Sequence, residues 1–234
     1  MTVADPSVST EGSRRTSAFS RTAEIYDQTP RGDERETVAF LEGLARGGPA
    51  LELAIGTGRI GLPLAARGVP LAGIDFSPAM VDRLRAKPGG DAVAVTFGDF
   101  AGVPVEGRYR LVYVVFNTFF ALLTQDDQLR CFAAVADRLA PGGAFLLSGF
   151  VPDPTLYSGG QSVRTTEVGL ALARLDLARH DPVAQRVDFQ NVLLGEDGVR
   201  LLPGSVRYAW PSELDLMARL AGMRLRERWG GWRR

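Results

Sequence analysis

The amino-acid sequence predicts an α/β fold, in which a parallel sheet is covered by helices on both faces. Between residues 50 and 151, five apolar segments of strand length alternate with segments of helical periodicity. Strands that are buried on both faces and joined by helices produce this alternation. The predicted strands are residues 50–56, 70–76, 92–99, 110–117 and 144–151. The predicted helices between them are residues 59–67, 78–86 and 125–139.

The segments before the first strand predict a tail and a helix outside the sheet. Residues 1–18 are polar and rich in Ser, Thr and Arg, so we predict a disordered tail. Residues 31–46 place apolar side chains at helical spacing and end at Gly47 and Gly48, as a helix does. We therefore predict that residues 19–151 form a core domain with an N-terminal lid.

The pattern changes after residue 151. Three extended segments, separated by turn residues, predict a small antiparallel insertion over residues 152–209, on the side where a substrate binds. The extended segments are residues 164–178, 184–194 and 198–209. Residues 210–234 are predicted to return to the core domain as a helix, residues 211–222, followed by a sixth core strand.

The composition argues against several classes of protein. The 27 basic and 27 acidic residues leave no net charge, so the long-range field that attracts nucleic acid or an anionic membrane is missing. No apolar run approaches the roughly 18 residues that span a bilayer. One cysteine, Cys131, forms no intrachain disulfide and no cysteine-based zinc site, so we expect a cytoplasmic protein without a metal. One lysine, Lys87, makes Schiff-base chemistry and a Tyr-x-x-x-Lys reductase pair improbable.

A glycine-rich turn after the first strand matches two fingerprints. Gly56, Gly58 and Gly61 form G-x-G-x-x-G, which is typical of dinucleotide sites. The same segment, starting at Glu52, forms E-x-A-x-G-x-G. A carboxylate favours the ammonium of S-adenosylmethionine and repels the pyrophosphate of NAD. Alternatively, Glu52 lies beneath the edge of the sheet and orients the turn.

Two more acids end the next two predicted strands. Asp75 follows the turn by about twenty residues, where a carboxylate accepts hydrogen bonds from ribose hydroxyls; the alternative is a simple helix cap. Asp99 follows Gly98 and is placed to accept from the adenine amino group; the alternative is a turn residue. The side chains expected to cover the adenine are Phe76, Met80 and Phe100.

Together these motifs resemble those of class I S-adenosylmethionine-dependent methyltransferases. The resemblance covers roughly residues 20 to 151 and rests on "LELAIGTGR", "GIDFSPAMV", "GDF" and "LAPGG", in that order. The segments "EIYD" and "FNTFF" are loosely similar to small-molecule methyltransferases, including those that dimethylate nucleotide-linked amino sugars. Family members commonly carry Gly where this chain has Ala54, which tightens the turn slightly.

The resemblance implies a Rossmann-like sheet, S-adenosyl-L-methionine as cofactor, and in-line methyl transfer to a nitrogen or oxygen of a small molecule. The implied cofactor site consists of Tyr26, Glu52, Ala54, Gly56, Gly58, Asp75, Phe76, Met80, Gly98, Asp99, Phe100, Phe116 and Asn117. Phe116 and Asn117 are expected beside the transferring methyl. Asn117 is not followed by Pro-Pro-Tyr or Pro-Pro-Phe, so the motif of nucleic-acid amino methyltransferases is absent.

Candidate catalytic residues are few, because proximity is the main requirement of methyl transfer from a sulfonium. His180 is the one histidine, and histidine is a common general base, but this residue is predicted to lie in a surface turn. Tyr26 is expected either to contact the cofactor from the lid or to pack in the core. The competing functions are a non-catalytic adenosyl-binding protein and, less favoured, an NAD-dependent oxidoreductase.

The C-terminus departs from the family pattern, in which a seventh strand lies between strands five and six. No residues follow Arg234 to form that strand, so we expect it to be missing. Truncation is the favoured explanation; the alternatives are an inserted strand or a partner chain that fills the gap.

Overall fold

A computed structural model describes residues 26–27 and 32–232 and contains the predicted parallel sheet with helices beside it. Its five strands are in the order β3-β2-β1-β4-β5. The strands are β1 (Ala50–Leu53), β2 (Leu71–Asp75), β3 (Ala94–Phe97), β4 (Tyr109–Val114) and β5 (Leu139–Leu147). The helices that alternate with them are α1 (Glu34–Ala45), α2 (Gly61–Ala66), α3 (Pro78–Arg85) and α4 (Gln125–Arg138).

The order of the strands places a ligand site. β1 pairs in parallel with β2 on one side and with β4 on the other. The strands that follow β1 are therefore added first on one side of it and then on the other, which makes β1 and β4 a switch point of the sheet. In open α/β sheets, ligands bind beyond the carboxyl ends of the strands at such a switch point. The segment that leaves β1 at this point is the glycine-rich turn.

Burial follows the sequence pattern. All four residues of β1 are buried, as a central parallel strand requires. α1 buries one face, formed by Thr37, Val38, Leu41 and Ala45, and ends where Arg46 adopts a left-handed conformation. β5 begins at Leu139, five residues before the predicted strand, because α4 leads directly into it.

The chain divides into two compact units. The first comprises Met1–Tyr113, Arg138–Phe145 and Arg228–Arg234, and the second comprises Val114–Asp137 and Leu146–Glu227. The domain boundaries predicted from the sequence, at residues 18, 151 and 209, stay predictions, and residues 1–18 lie outside the described part of the chain.

The second unit contains an antiparallel sheet with one strand more than predicted. Its strands, β6 (Gln161–Val168), β7 (Leu172–Asp181), β8 (Arg186–Gly195) and β9 (Gly198–Arg207), are paired in sequence order. The segment 164–178, which we predicted as one run, is two strands because residues 169–171 form a turn. The helix α5 (Pro211–Leu220) follows, and its Glu213 pairs at 2.7 Å with the buried Arg207.

The predicted sixth core strand is wrong. Residues 223–232 form no strand, and residues 224–228 are exposed. A central strand is buried on both faces, but this segment carries arginine at positions 224, 226 and 228, which water solvates better. Its aromatic end packs against α1 instead: the ring centroids of Trp229 and Phe40 are 4.8 Å apart.

None of the helices in the described part of the chain combines the length and the apolar composition needed to cross a bilayer.

Candidate cofactor site

The glycine-rich turn is built from three left-handed residues. Ala54, Gly56 and Gly58 have φ angles of 57°, 57° and 75°. Glycine adopts this conformation freely, whereas alanine is strained by about 1–2 kcal/mol. The turn therefore reverses sharply at the end of β1 and leaves its backbone close to any ligand there.

Asp75, at the end of β2, holds this turn in place. Its Oδ2 accepts a hydrogen bond from the Gly56 N–H at 2.7 Å, and its Oδ1 accepts one from the Ser77 N–H at 2.8 Å. Burial raises the pKa of Asp75, and the N–H donors of Ser77 and Gly56 oppose that rise. The Phe76 N–H also donates to this carboxylate, so three of its roughly four acceptor sites are used and one remains for a ribose hydroxyl. The structure thus brings Asp75 to the turn, as predicted from their spacing.

Glu52 points away from solvent, towards the first turn of α2. The side chain is only 3% exposed, and the Tyr113 hydroxyl donates to its Oε2 at 3.0 Å. The Gly61 N–H also donates to this carboxyl group. A Cβ on Gly61 would lie 2.6 Å from Glu52 Oε2. This is the geometry of the alternative interpretation, in which Glu52 orients the turn from beneath.

This contact explains why the turn satisfies the dinucleotide pattern as well. The third glycine, Gly61, lets α2 approach the Glu52 carboxyl group closely. Packing within the protein therefore accounts for this glycine, and no bound pyrophosphate is required to explain it. Sequence reasoning missed Tyr113. The contact could have been found only from the register of the sheet, in which Glu52 of β1 lies opposite Tyr113 of β4.

Glu52 is expected to make stability depend on pH. Burial raises its pKa from 4.5 to about 8, and the negative charge of Asp75 adds to the rise. The stabilisation from the protonated acid is complete below about pH 4.5 and is lost as the pH rises towards 8, because only the unfolded chain ionises in that window. The slope for one group is at most about 1.4 kcal/mol per pH unit.

The Glu52→Gln variant, which cannot ionise, is therefore expected to gain stability relative to wild type as the pH rises through this window. Urea unfolding of both cofactor-free proteins at several pH values measures the difference. A difference that stays constant with pH would contradict the assignment.

A short segment of the predicted lid contacts the turn. We call the contacts of Tyr26 and Asp27 with Thr57, Arg59 and Lys87 the lid clip. The Arg59 guanidinium lies 4.5 Å from the centroid of the Tyr26 ring and donates to the Tyr26 carbonyl. Asp27 accepts from the Thr57 hydroxyl at 2.7 Å and pairs with Lys87 at 2.7 Å. The structure thus brings Tyr26 to the glycine-rich turn.

The charges within the lid clip reinforce one another. Burial opposes ionisation of Asp27, but hydrogen bonds from Lys87 and Thr57 and the charges of Lys87 and Arg59 hold its pKa below the usual value. Lys87 also donates to the Thr57 carbonyl at 2.8 Å. The sequence analysis did not name Asp27, Arg59 or Lys87 as site residues, although Asp27 is the last residue of the "EIYD" segment.

The end of β3 lies beside the end of β2. The Gly98 N–H donates to the Asp75 carbonyl at 3.0 Å. Asp99 is exposed, and its Oδ1 accepts from the Ala101 N–H at 2.9 Å, which is the geometry of a turn residue. Its role towards adenine stays a prediction.

The side chains predicted to cover adenine differ in exposure. Met80 and Phe100 are 4% and 5% exposed and belong to the core, whereas Phe76 is half-buried. Phe97, which the sequence did not single out, is 54% exposed and pairs in register with Asp75. Two partly or largely exposed aromatic residues therefore adjoin Asp75: Phe76 follows it along the chain, and Phe97 is its neighbour on the adjacent strand.

Phe116 and Asn117 follow β4 in the second unit. Both have left-handed backbones, with φ angles of 59° and 66°, and such strain is concentrated at functional sites. The Asn117 side-chain oxygen accepts from the Phe150 N–H at 2.8 Å, which fixes the turn.

His180 does not lie in a surface turn, so that prediction is wrong. It is the penultimate residue of β7, is 9% exposed, and its Nε2 lies 2.9 Å from the Tyr208 hydroxyl. Its ring stacks on Tyr157 with 4.5 Å between centroids. The turn begins one residue later, where Asp181 accepts from the N–H groups of Val183 and Ala184.

The described part of the chain holds no group of three or more His, Cys, Asp or Glu side chains placed to bind a metal ion.

A Rossmann-like sheet with a glycine-rich turn and a carboxylate at the end of β2 is shared by class I methyltransferases and dinucleotide-binding proteins, and similarity to known proteins decides between them. Residues 50–143 match the methyltransferase domain family. The CcbJ methyltransferase from Streptomyces caelestis is 38% identical, with a TM-score of 0.85 over 93% of this chain and 91% of that chain. The chain therefore belongs to the S-adenosylmethionine-dependent methyltransferases.

Two further solved structures are similar in fold. The sugar N-methyltransferase KedS8 from Streptoalloteichus sp. is 18% identical, with a TM-score of 0.64 over 85% of this chain and 83% of that chain. CalS10, an amino pentose methyltransferase from Micromonospora echinaspora, was solved with S-adenosylmethionine bound; it is 18% identical, with a TM-score of 0.61 over 95% of this chain and 90% of that chain. A search of curated proteins finds no significant match.

These comparisons confirm the predicted fold class, the enzyme class and S-adenosylmethionine as the cofactor.

Proposed function

We propose that this methyltransferase transfers the methyl group to a nitrogen of a small molecule, and that an amino sugar is the substrate class to test first. The observation that supports a cofactor site at the switch point is the hydrogen bond from the Gly56 N–H to Asp75, which holds the glycine-rich turn beside the end of β2. Oxygen is the other nucleophile consistent with the sequence. The printed names of KedS8 and CalS10 favour nitrogen.

The residues around the turn fit the cofactor. Asp75 keeps acceptor capacity for the ribose, and the Cβ position of Gly56 has only the Ala54 carbonyl oxygen near it, at 4.0 Å, which leaves room beside the turn for the methionine half. We assign the adenine amino group to Asp99 and a ring face to Phe76. When bound, S-adenosylmethionine supplies an electrophilic methyl group on a sulfonium.

The protein contributes mainly position. Holding a nucleophile about 3 Å from the methyl carbon replaces a bimolecular encounter, and effective molarities of roughly 10⁵ M or more are known for well-oriented groups. A neutral amine needs only a modest base to remove its proton. An amine acceptor therefore requires less from the protein than a hydroxyl acceptor, which needs a stronger base.

Catalytic roles for His180 and Tyr26 remain proposals. A base role for His180 predicts that His180→Gln lowers kcat while S-adenosylmethionine binding and the circular dichroism spectrum stay unchanged. A variant that keeps wild-type kcat contradicts that role.

Calorimetric titration tests the cofactor assignment. S-adenosylmethionine and S-adenosylhomocysteine are expected to bind near micromolar, about −8 kcal/mol, and NADH is expected not to bind. Incubation with S-adenosylmethionine and a panel of nucleotide-linked amino sugars and their hydroxyl counterparts, read by mass spectrometry, then identifies the acceptor. Methylation of the hydroxyl counterparts alone would contradict the nitrogen proposal.

A further inference from the structure

Arg207 is a buried cation at the end of β9, and three side chains hold its guanidinium group. Only 6% of the residue is exposed. Its Nη1 donates to Gln128 Oε1 at 2.6 Å. Its Nη2 donates to Glu213 Oε1 at 2.7 Å and to Gln185 Oε1 at 3.2 Å. A buried ion pair is often no more stable than apolar side chains of the same volume, because both charges lose their water. The pair of Arg207 and Glu213 therefore calls for an explanation other than stability.

Gln128 connects Arg207 to the segment that follows β4. The residue is 0% exposed. Its side-chain nitrogen donates to the Leu122 carbonyl at 3.0 Å and to the Arg207 carbonyl at 2.8 Å, while its side-chain oxygen accepts from the guanidinium group. Both N–H groups and the oxygen are thus used, so the side chain has one fixed orientation.

The segment that Gln128 reaches is residues 116–122, which we call the strained turn. It begins with two consecutive left-handed residues, Phe116 and Asn117. Backbone of this kind costs on the order of 1–3 kcal/mol per residue and persists only where the surrounding structure holds it. The Asn117 N–H fixes the start of the strained turn by donating to the Ser148 carbonyl at 3.1 Å. Gln128 fixes its end.

We propose that Arg207 is a positioning residue of this methyltransferase, which acts through Gln128 to hold the strained turn in the conformation that methyl transfer requires. The inference rests on the proposed function, because Phe116 and Asn117 are expected beside the transferring methyl. Position is the main contribution of the protein to this reaction, and a displacement of about 1 Å can lower a rate roughly 100-fold. Loss of the guanidinium contact is therefore expected to lower kcat more than it changes the affinity for the cofactor.

The other side of the same network supplies a matched control. Glu213 also accepts hydrogen bonds from the side chains of Gln125 and Gln185, at 2.8 Å each. Gln125 is exposed at the start of α4, the helix that also carries Gln128, and it bonds the Glu213 carboxylate instead of the Leu122 carbonyl. Substitution of Gln125 therefore perturbs the network but keeps the hydrogen bond to the strained turn.

Hydrogen–deuterium exchange of the cofactor-free protein, measured by mass spectrometry, tests the link between Arg207 and the strained turn. The variants are Arg207→Met and Gln128→Met, which keep an unbranched side chain, and the control is Gln125→Met. Peptides that cover residues 116–124 are expected to exchange at least about tenfold faster in the two variants and at the wild-type rate in the control. An equal rise in exchange throughout β6–β9 would indicate a purely structural role and overturn the proposal.

Turnover supplies the second measurement. The substrates are S-adenosylmethionine and the nucleotide-linked amino sugar that the wild type methylates fastest. Both variants are expected to lose about 10-fold to 100-fold in kcat, while the dissociation constant of S-adenosylhomocysteine changes by less than about threefold. Because the two residues act in series, the double variant Arg207→Met/Gln128→Met is expected to be no slower than the slower single variant. Losses that multiply, or wild-type kcat in both single variants, would overturn the proposal.

A further variant, Gln128→Glu, covers loss of folding. It keeps an oxygen for the Arg207 guanidinium and removes the donors to the Leu122 and Arg207 carbonyls. The same local rise in exchange is expected with an unchanged circular dichroism spectrum, and wild-type exchange in residues 116–124 would contradict the inference. If the wild type methylates none of the amino sugars, the proposed function fails, and the exchange experiment alone decides whether Arg207 holds the strained turn.

Discussion

Replacing Asp75 with alanine is expected to weaken S-adenosylmethionine binding by roughly 10-fold to 100-fold. Asp75 clamps the Gly56 N–H at 2.7 Å and the Ser77 N–H at 2.8 Å. Those two hydrogen bonds lie within the protein; the hydrogen bond that we assign to a ribose hydroxyl on this charged carboxylate contributes about 1.5–3 kcal/mol, which is roughly one to two powers of ten in the dissociation constant. The variant also frees the turn that shapes the site. Titration calorimetry measures the change in dissociation constant.

The controls for this result are Asp75→Asn and Asp82→Ala. Asparagine keeps one acceptor oxygen and removes the charge, so its affinity is expected to lie between wild type and Asp75→Ala. Asp82 is an exposed carboxylate on α3, and its loss is expected to leave binding unchanged. Binding by Asp75→Ala within a few-fold of wild type would mean that this carboxylate does not hold the turn for the cofactor.

Gly61→Ala is expected to destabilise the protein by about 1–3 kcal/mol, the usual effect of overpacking a dense core. The new Cβ would lie 2.6 Å from Glu52 Oε2 and 2.9 Å from Leu71 Cδ2. Either α2 moves away from β1 or the Glu52–Tyr113 hydrogen bond breaks. The melting temperature is expected to fall by roughly 2–10 °C.

Gly43→Ala is the matched control, because Gly43 lies within α1 and has nothing within 4 Å of the Cβ position. Alanine is the better helix former, so this change is expected to stabilise by about 0.5–1 kcal/mol. The two glycine substitutions are thus expected to change the free energy of unfolding in opposite directions. If Gly61→Ala were as stable as Gly43→Ala in urea unfolding, the close approach of α2 to Glu52 would be wrong.

The sequence predicts those features that depend on local pattern. Periodicity predicts the parallel strands and most of the helices, and the spacing from Gly56 to Asp75 predicts their convergence, because parallel strands end at one edge of a sheet. The direction of a side chain there depends on packing, so the sequence left two positions open for Glu52, and the structure shows the alternative in which it lies beneath the turn.

The features that depend on pairing between distant segments are harder to predict. Tyr113 meets Glu52 only through the register of β1 and β4, and His180 leaves the predicted turn because β7 extends to Asp181. Residues 223–232 alternate like a strand, yet their arginines and the attraction of Trp229 for Phe40 outweigh that local pattern.

The lid clip has a chemical consequence. Lys87 is the one lysine in the chain, and its ammonium joins Asp27 of the lid to the Thr57 carbonyl in the glycine-rich turn. Acylation of side-chain amines therefore modifies a single position, where it neutralises the cation that fastens the lid. The rate of that modification is expected to report how often the contact between Lys87 and Asp27 opens, which makes Lys87 a single chemical reporter beside the glycine-rich turn.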